Sequence, residues 1–239
     1  MATISVIIPS YNQAEYLEDA IESAYNQTYA AHQIIVIDDG STDNSLEIAQ
    51  RYQFQKYPMI ESPVRVVSQV NKGLASARNT GIMWATGDYC MFLDADDIME
   101  ENCLERINQA ILRTNCDVVA PSFRTFGKAE QEVILATAFT MDDLKQSNRL
   151  GYFSAIKRQT LLELGGYNPR MKWGYEDYDL WFDLFKRGKT LWVIQEPLIR
   201  YRLKDKSMIH DAQAHHEECM AQIRTNHPAL WGIPVAQKK

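Results

Sequence analysis

Long hydrophobic runs are missing from this 239-residue sequence. Its purest apolar stretches, Ile4–Ile8 and Ile34–Ile37, fall far short of the roughly 20 residues that cross a bilayer. No transmembrane span is expected, although peripheral association with a membrane stays open. Cysteine is scarce. Cys90, Cys103, Cys116 and Cys219 form no CxxC pair and no Cys/His spacing of a zinc site. No signal-peptide pattern is present, so the expectation is reduced thiols in a cytoplasmic protein, at most at the inner face of the membrane. Basic residues are also short: 25 Lys and Arg face 31 Asp and Glu, a net charge of −6. That balance argues against nucleic acid as a partner, and it leaves room for a local basic pocket around a phosphorylated small molecule. Repeats and Pro/Gly/Ser-rich linkers are absent too, which predicts one domain over 1–239.

What is present is ordinary globular composition, with 46% apolar and 23% charged residues. Ile4-Ser5-Val6-Ile7-Ile8 is a β-branched run ended by Pro9, the pattern of a strand buried on both faces. Leu17, Ala20, Ile21, Ala24 and Tyr25 follow at helical spacing, with Asn12 as the expected N-cap. Ile34–Ile37 reads as a second buried strand, and Leu46, Ile48, Ala49 and Tyr52 as a helix face capped by Ser41 or Asp43. Val64–Val67 predicts a third strand. Leu74, Ala77, Arg78, Gly81, Ile82 and Ala85 predict a third helix, and Tyr89–Leu93 a fourth strand. This alternation predicts an α/β fold with a mostly parallel central sheet flanked by helices. Further on, Leu104, Ile107 and Ile111 mark a helix and Asp117–Ala120 a strand. Gly165-Gly166 reads as a helix stop, Asp179–Arg187 as a short helix, Leu191–Ile194 and Leu198–Tyr201 as strands, and Asp211–Thr225 as a polar helix.

Two buried strands end in acids, Asp38-Asp39-Gly40 and Asp94-Ala95-Asp96-Asp97. Ligands of open α/β sheets bind beyond the carboxyl ends of strands. Five acids at one edge repel one another unless something cationic joins them, and a hard divalent ion shared with a substrate phosphate is the usual solution. Each cluster also precedes a predicted helix, where Asp serves as a cap, and that reading stays open.

These segments carry a resemblance. Ser5-Val6-Ile7-Ile8-Pro9-Ser10-Tyr11-Asn12 with Asp38-Asp39-Gly40-Ser41-Thr42-Asp43 resembles the opening of family 2 glycosyltransferases of the GT-A fold. Asn71-Lys72-Gly73-Leu74-Ala75-Ser76-Ala77-Arg78-Asn79 and the DXD-like Asp94-Ala95-Asp96 resemble the family's next two segments. Gly165-Gly166-Tyr167 and Glu176-Asp177-Tyr178-Asp179-Leu180-Trp181 resemble its acceptor-side segments. The matches run in order from Ile4 to about Ser207. The resemblance implies a nucleotide-sugar-binding half at about 1–115, an acceptor and catalytic half at about 116–207, and a tail at about 208–239. It implies an inverting transfer from a nucleoside-diphosphate sugar, a UDP-sugar by preference, to a hydroxyl of a sugar or glycolipid acceptor. The class implied is a hexosyl- or N-acetylhexosaminyl-transferase of polysaccharide or glycoconjugate synthesis.

The resemblance also assigns roles. Pro9 and Tyr11 line the base pocket, and Asp39 accepts from base or ribose. Arg78 lies near the phosphates or donor sugar, and Asp94 approaches the ribose or sugar. Asp96 holds Mg²⁺ or Mn²⁺ on the diphosphate. Asp177 is the general base, held by Glu176; its own alternative is an N-cap for the helix that follows. A carboxylate suits a hydroxyl nucleophile because it takes the proton late in the transition state. Trp173 and Tyr175, in a glycine-containing loop, are the acceptor-platform candidates, while Trp181 reads as core. Asp179 and Asp183 read as solvated helix positions. One departure stands out. Many relatives carry a metal-ligating His in an Arg-x-His-x-x-Ser pattern, and this chain has Arg202-Leu203-Lys204-Asp205-Lys206-Ser207. Lys204 can instead pair with the diphosphate, and His210 is a replacement ligand to consider. His215-His216-Glu217-Glu218 reads as a solvated face rather than a metal cluster. Competing readings are a sugar-1-phosphate nucleotidyltransferase, a phosphoacceptor signalling domain ending a strand in Asp38-Asp39, and an inactive nucleotide-sugar-binding module.

Overall fold

A computed structural model describes residues 1–54, 62–205 and 212–233. Its first half alternates as the periodicity predicts: β1 (Ile4–Ser10), α1 (Leu17–Tyr25), β2 (Gln33–Asp38), α2 (Ser45–Phe54), β3 (Val64–Ser68), α3 (Leu74–Trp84) and β4 (Tyr89–Phe92). Next come β5 (Ile98–Met99), α4 (Cys103–Thr114), β6 (Val118–Gly127), β7 (Glu132–Val133), α5 (Met141–Gln146), β8 (Ala155–Lys157) and α6 (Arg158–Leu164). The last described elements are α7 (Glu176–Lys186), β9 (Leu191–Leu203), α8 (His216–Asn226) and a 3-10 turn at Pro228–Trp231.

Among the described residues one sheet runs β3-β2-β1-β4-β8-β6-β9-β5, with β7 paired to β6. Strands β1 to β4 are mutually parallel, as are β6 and β9, and β8 is antiparallel to both of its neighbours. Every residue of β1 is buried, in keeping with a strand covered on both faces. Helix α3 approaches β1 through Gly81, where an added Cβ would stand 2.3 Å from Ile7 Cγ2. Only glycine allows that separation, and α3 carries Arg78 and Asn79 into the site.

Several sequence expectations need correction. Pro9 does not end β1; it stays in register with Ile37. Ile7 accepts from Leu93 N, and Pro9, two residues on, faces the same side beyond the last residue of β4. Its missing N–H is not needed there. Asn12 does not cap α1, which begins at Leu17 after a turn closed by Gln13 O. Asn12 sits at φ 52° and accepts from Thr42 N at 2.8 Å, so it ties two loops together. The two strands expected at 191–194 and 198–201 are one strand, β9, whose pairing with β6 skips Gln195 and Glu196 and then Leu198. Pro197 sits at that irregularity, where a bulge accommodates it. Helix α7 begins three residues earlier than expected, so Asp177 lies in its first turn rather than capping it. Ser207 and His210 lie outside the described residues.

Candidate active site

The loops beyond β1 and β2 are stitched together by the Ser41-Thr42-Asp43 segment. Asn12 N donates to Ser41 Oγ at 3.1 Å, and Ala14 N to Asp43 Oδ2 at 3.0 Å. Asp43 Oδ1 also takes Ser45 N at 3.0 Å, which serves the start of α2. Gly40 makes the close approach possible. Its φ is +74°, and a Cβ there would stand 2.9 Å from Asn71 N. The 11–16 loop is thereby held at the sheet edge, with Tyr11 47% exposed on it and Pro9 buried beneath.

Asp39 is buried and takes three protein donors: Gln69 Nε2 at 2.7 Å, Lys72 N at 2.9 Å and Gly73 N at 2.8 Å. It therefore caps the start of α3 from a neighbouring loop, where Gly73 provides no side chain to do so. The capping reading of this cluster is met on α3 and not on α2, the helix that follows Asp39 in sequence. Asp38 supports the same corner, accepting from Ser68 Oγ at 3.0 Å.

Arg78 is 1% exposed, with its guanidinium turned to carboxylates of the chain itself. Its Nη2 donates to Asp94 Oδ1 at 2.8 Å, its Nη1 is bound to Glu176 Oε1, and its guanidinium lies 4.9 Å from the Tyr152 ring and 5.3 Å from the Tyr167 ring. Among the described residues its Nε has no hydrogen-bond partner. Asp94 keeps 25% of its side chain exposed, so it remains reachable from the cleft. Burial lifts its pKa to about 6, with Arg78 opposing and the nearby Asp96 charge adding. Asp97 is enclosed. It is held by the Tyr152 hydroxyl and by Arg202 N at 2.7 Å, and burial followed by the Asp96 and Asp94 charges pushes it well above the usual carboxylate range.

Asp177 sits next to Glu176 in the first turn of α7 and is half-buried. Its Oδ2 accepts from Asn148 Nδ2 at 3.0 Å and its Oδ1 from Tyr178 N at 2.7 Å. Burial, and then the Glu176 charge, raise it to about 7, against the pull of Arg78. A carboxylate with such a pKa exchanges a proton readily near neutral pH. Through Arg78 the acid edge of the first half and the carboxylate pair of the second half share one cation.

Trp173 is exposed on one side, while His215 stacks on it at 3.9 Å. The Tyr175 hydroxyl lies 3.0 Å from His216 Nδ1. These two aromatics do flank the turn before Asp177, but the two histidines dock on them rather than forming a purely solvated face. Trp181 is core, as expected. Asp179 corrects the reading of a solvated position. It is buried, with Asn226 Nδ2 and His227 Nε2 each 2.9 Å from its Oδ1 and Asn168 Nδ2 3.2 Å from its Oδ2. Asp183 is half-buried beside Lys186 and Arg187. Residues that sequence reasoning missed are Asn148 and Tyr152, while Tyr167 was read only as part of the Gly165-Gly166-Tyr167 segment and not as a neighbour of Arg78. Asn148 and Tyr152 lie in an irregular stretch with no periodic signal.

Lys204 Nζ lies 2.5 Å from Asp96 Oδ2, 3.4 Å from Gln13 Oε1 and 4.9 Å from the Tyr16 ring. Arg202 Nε donates to Asp96 O at 2.8 Å. Among the described residues no three His, Cys, Asp or Glu side chains gather as a metal-ligand set. Asp94 belongs to Arg78, Asp97 to Tyr152 and Arg202, and Asp96 to Lys204. The acids beyond β4 are each paired within the chain, and among the described residues they make no carboxylate set that would hold a divalent ion by themselves.

The fold is similar to that of Staphylococcus aureus TarS, solved in complex with UDP-GlcNAc, at TM-score 0.74 over 94% of this chain and 66% of that one, with 18% identity. That likeness shows a GT-A-like α/β fold. Glycosyltransferase GlyG of Streptococcus pneumoniae is 40% identical over 128 residues, 53% of this chain and 41% of GlyG. The TuaG glycosyltransferase of Bacillus subtilis is 30% identical over 214 residues, 86% of this chain and 81% of TuaG. The family described as Glycosyl transferase family 2 matches residues 5–179, and the chain belongs to it. The chain spans less than half the length of GlyG. Among the described residues no helix is long and apolar enough to cross a membrane.

Proposed function

We propose that this chain moves a sugar from a nucleoside-diphosphate sugar to an acceptor hydroxyl with inversion at the anomeric carbon. The observation that carries the reading is the Asp94–Arg78–Glu176 bridge with Asp177 beside it. It sets a half-buried carboxylate of raised pKa next to the acid edge beyond β4, where an α/β sheet receives a nucleotide ligand. UDP is the proposed nucleotide because TarS, which shares the fold, is solved with UDP-GlcNAc.

In this reading Tyr11 stacks on the base and Asp39 holds the base loop in shape. Asp94, kept in place by Arg78, accepts from a hydroxyl of the ribose or donor sugar. The acceptor hydroxyl approaches from the Trp173 and Tyr175 side. Its oxygen attacks the anomeric carbon as the bond to the diphosphate oxygen breaks, and that oxygen leaves with the electron pair. Asp177 takes the hydroxyl proton. Asn148 and Tyr178 N aim the carboxylate, and Glu176 beside it is bound to Arg78. The acceptor in this reading is a sugar or glycolipid of polysaccharide or glycoconjugate synthesis.

The test is nucleoside-diphosphate release from a panel of UDP-, GDP- and dTDP-sugars, with the anomeric configuration of any product read by NMR. Release from a UDP-sugar that is lost in Asp177→Asn supports the reading. Turnover of none of the panel, or retention of configuration, overturns it.

A further inference from the structure

We propose that Lys204 serves as a tethered cation for the donor diphosphate, so that a nucleoside diphosphate binds this site without a divalent metal ion. The proposal rests on the nucleotide-sugar reading above and adds how the diphosphate charge is met.

Three carboxylates, Asp94, Asp96 and Asp97, crowd the turn after β4, and crowded carboxylates require compensation. The chain supplies it from its own side chains and backbone. Arg78 pairs with Asp94, Lys204 with Asp96, and the Arg202 amide with Asp97. Asp96 is the member of this cluster on which a divalent ion would have to be built, and its Oδ2 already faces an ammonium at 2.5 Å. An ion entering there must first expel Lys204, and would then lie against a displaced positive charge.

The ammonium is positioned rather than loose. It follows the end of β9, which anchors the backbone. Gln13 Oε1 at 3.4 Å and the Tyr16 ring at 4.9 Å hold it from the loop after β1. That loop also carries Tyr11, so base contact and cation share one support. Two residues before Lys204, on β9, the Arg202 guanidinium packs 4.5 Å from the Tyr16 ring and 4.4 Å from the Phe126 ring. The Lys204 and Asp96 side chains are 19% and 21% exposed, so the pair reaches the cleft surface. An ammonium has three N–H donors. Asp96 and Gln13 account for two, and the third can turn to a phosphate oxygen without breaking the Asp96 pair.

The experiment is calorimetry of UDP binding to the whole chain, in EDTA and again with Mn²⁺. The expected result is binding in EDTA, with a Kd within about tenfold of the value in Mn²⁺. Lys204→Ala should weaken the EDTA value by about 10–100-fold, the usual worth of a charged hydrogen bond. Mn²⁺ should recover much of that loss in Lys204→Ala, because Asp96 is then released to a metal. Lys204→Arg, which keeps the charge, should retain binding in EDTA and shows that the alanine effect is not misfolding. Binding only in the presence of metal overturns the tethered cation and leaves the nucleotide pocket standing. Undiminished EDTA binding by Lys204→Ala overturns it as well. Failure of UDP, GDP and dTDP to bind under either condition overturns the pocket, and this proposal with it.

Discussion

Arg78 Nη2 meets Asp94 Oδ1 at 2.8 Å, and the other end of the same guanidinium holds Glu176. Asp94 follows a strand of the first half and Glu176 begins a helix of the second. One buried cation therefore ties Asp94 to the helix turn that carries Asp177.

Arg78→Met should unfold far more easily than the parent chain. Removing one partner of a buried ion pair costs about 3–5 kcal/mol, because the remaining charges lose their compensation. Here two carboxylates lose it at once. Urea unfolding followed by circular dichroism measures the change. A loss below about 1 kcal/mol would mean that the cation is screened like a surface residue.

Asp177→Asn and Asp179→Asn should fail in different ways. Asp177→Asn should lower transfer by roughly 10²–10⁴-fold, the usual contribution of a positioned base, with UDP affinity unchanged. Asp179→Asn should instead lower stability by about 1–3 kcal/mol, since it disturbs a buried acceptor shared by Asn168, Asn226 and His227. Transfer assays and thermal melts on both variants separate the roles. A stable but inactive Asp179→Asn beside an active Asp177→Asn would move the base two residues along α7.

Transfer should rise with pH through about 7 and then level off, because burial and Glu176 hold Asp177 protonated below that point. Stability should move the other way. The folded pKa of Asp177 lies above the unfolded value of about 3.9, so between these limits the native state binds more protons than the unfolded chain. Unfolding free energy should therefore fall as pH rises from about 4 to 7. Asp94, raised to about 6, acts in the same direction. Denaturant titrations across this range, with Asp177→Asn as the reference, isolate the Asp177 share; a rising difference would contradict the assignment.

Gly81→Ala should destabilise the chain by about 1–3 kcal/mol, the typical cost of overpacking. The new Cβ would stand 2.3 Å from Ile7 Cγ2, in the contact that seats α3 on β1. Adding Ile7→Ala should recover less than it removes on its own account, yet the two changes should be non-additive. A double-mutant cycle by thermal unfolding reads that coupling.

The strands and helices of the first half were legible because each is written by near neighbours. A β-branched run makes β2, and the spacing of Leu74, Ala77 and Arg78 makes one face of α3. The acids at 38–39 and 94–97 stood out for the same reason, being where buried runs stop. The second half was less legible. Gln195 and Glu196 interrupt the periodicity of β9, and the interruption looked like two strands. Asp179 looked solvated because its helical neighbours are mixed; its burial depends on Asn226 and His227, which arrive from the far end of the described chain.

Residue types and their spacing were enough to establish an α/β architecture, the resemblance to family 2 and the carboxylates worth watching. All three follow from local hydrophobic pattern and from short segments in order. Which cation belongs to which carboxylate was settled by packing across the sheet. Arg78 could have faced a phosphate, but burial between Tyr152 and Tyr167 gives it to Asp94 and Glu176. Lys204 could have pointed to solvent, but the end of β9 brings it to Asp96. Ion pairs between distant segments depend on where the backbone carries them, and no periodicity within either segment encodes that meeting.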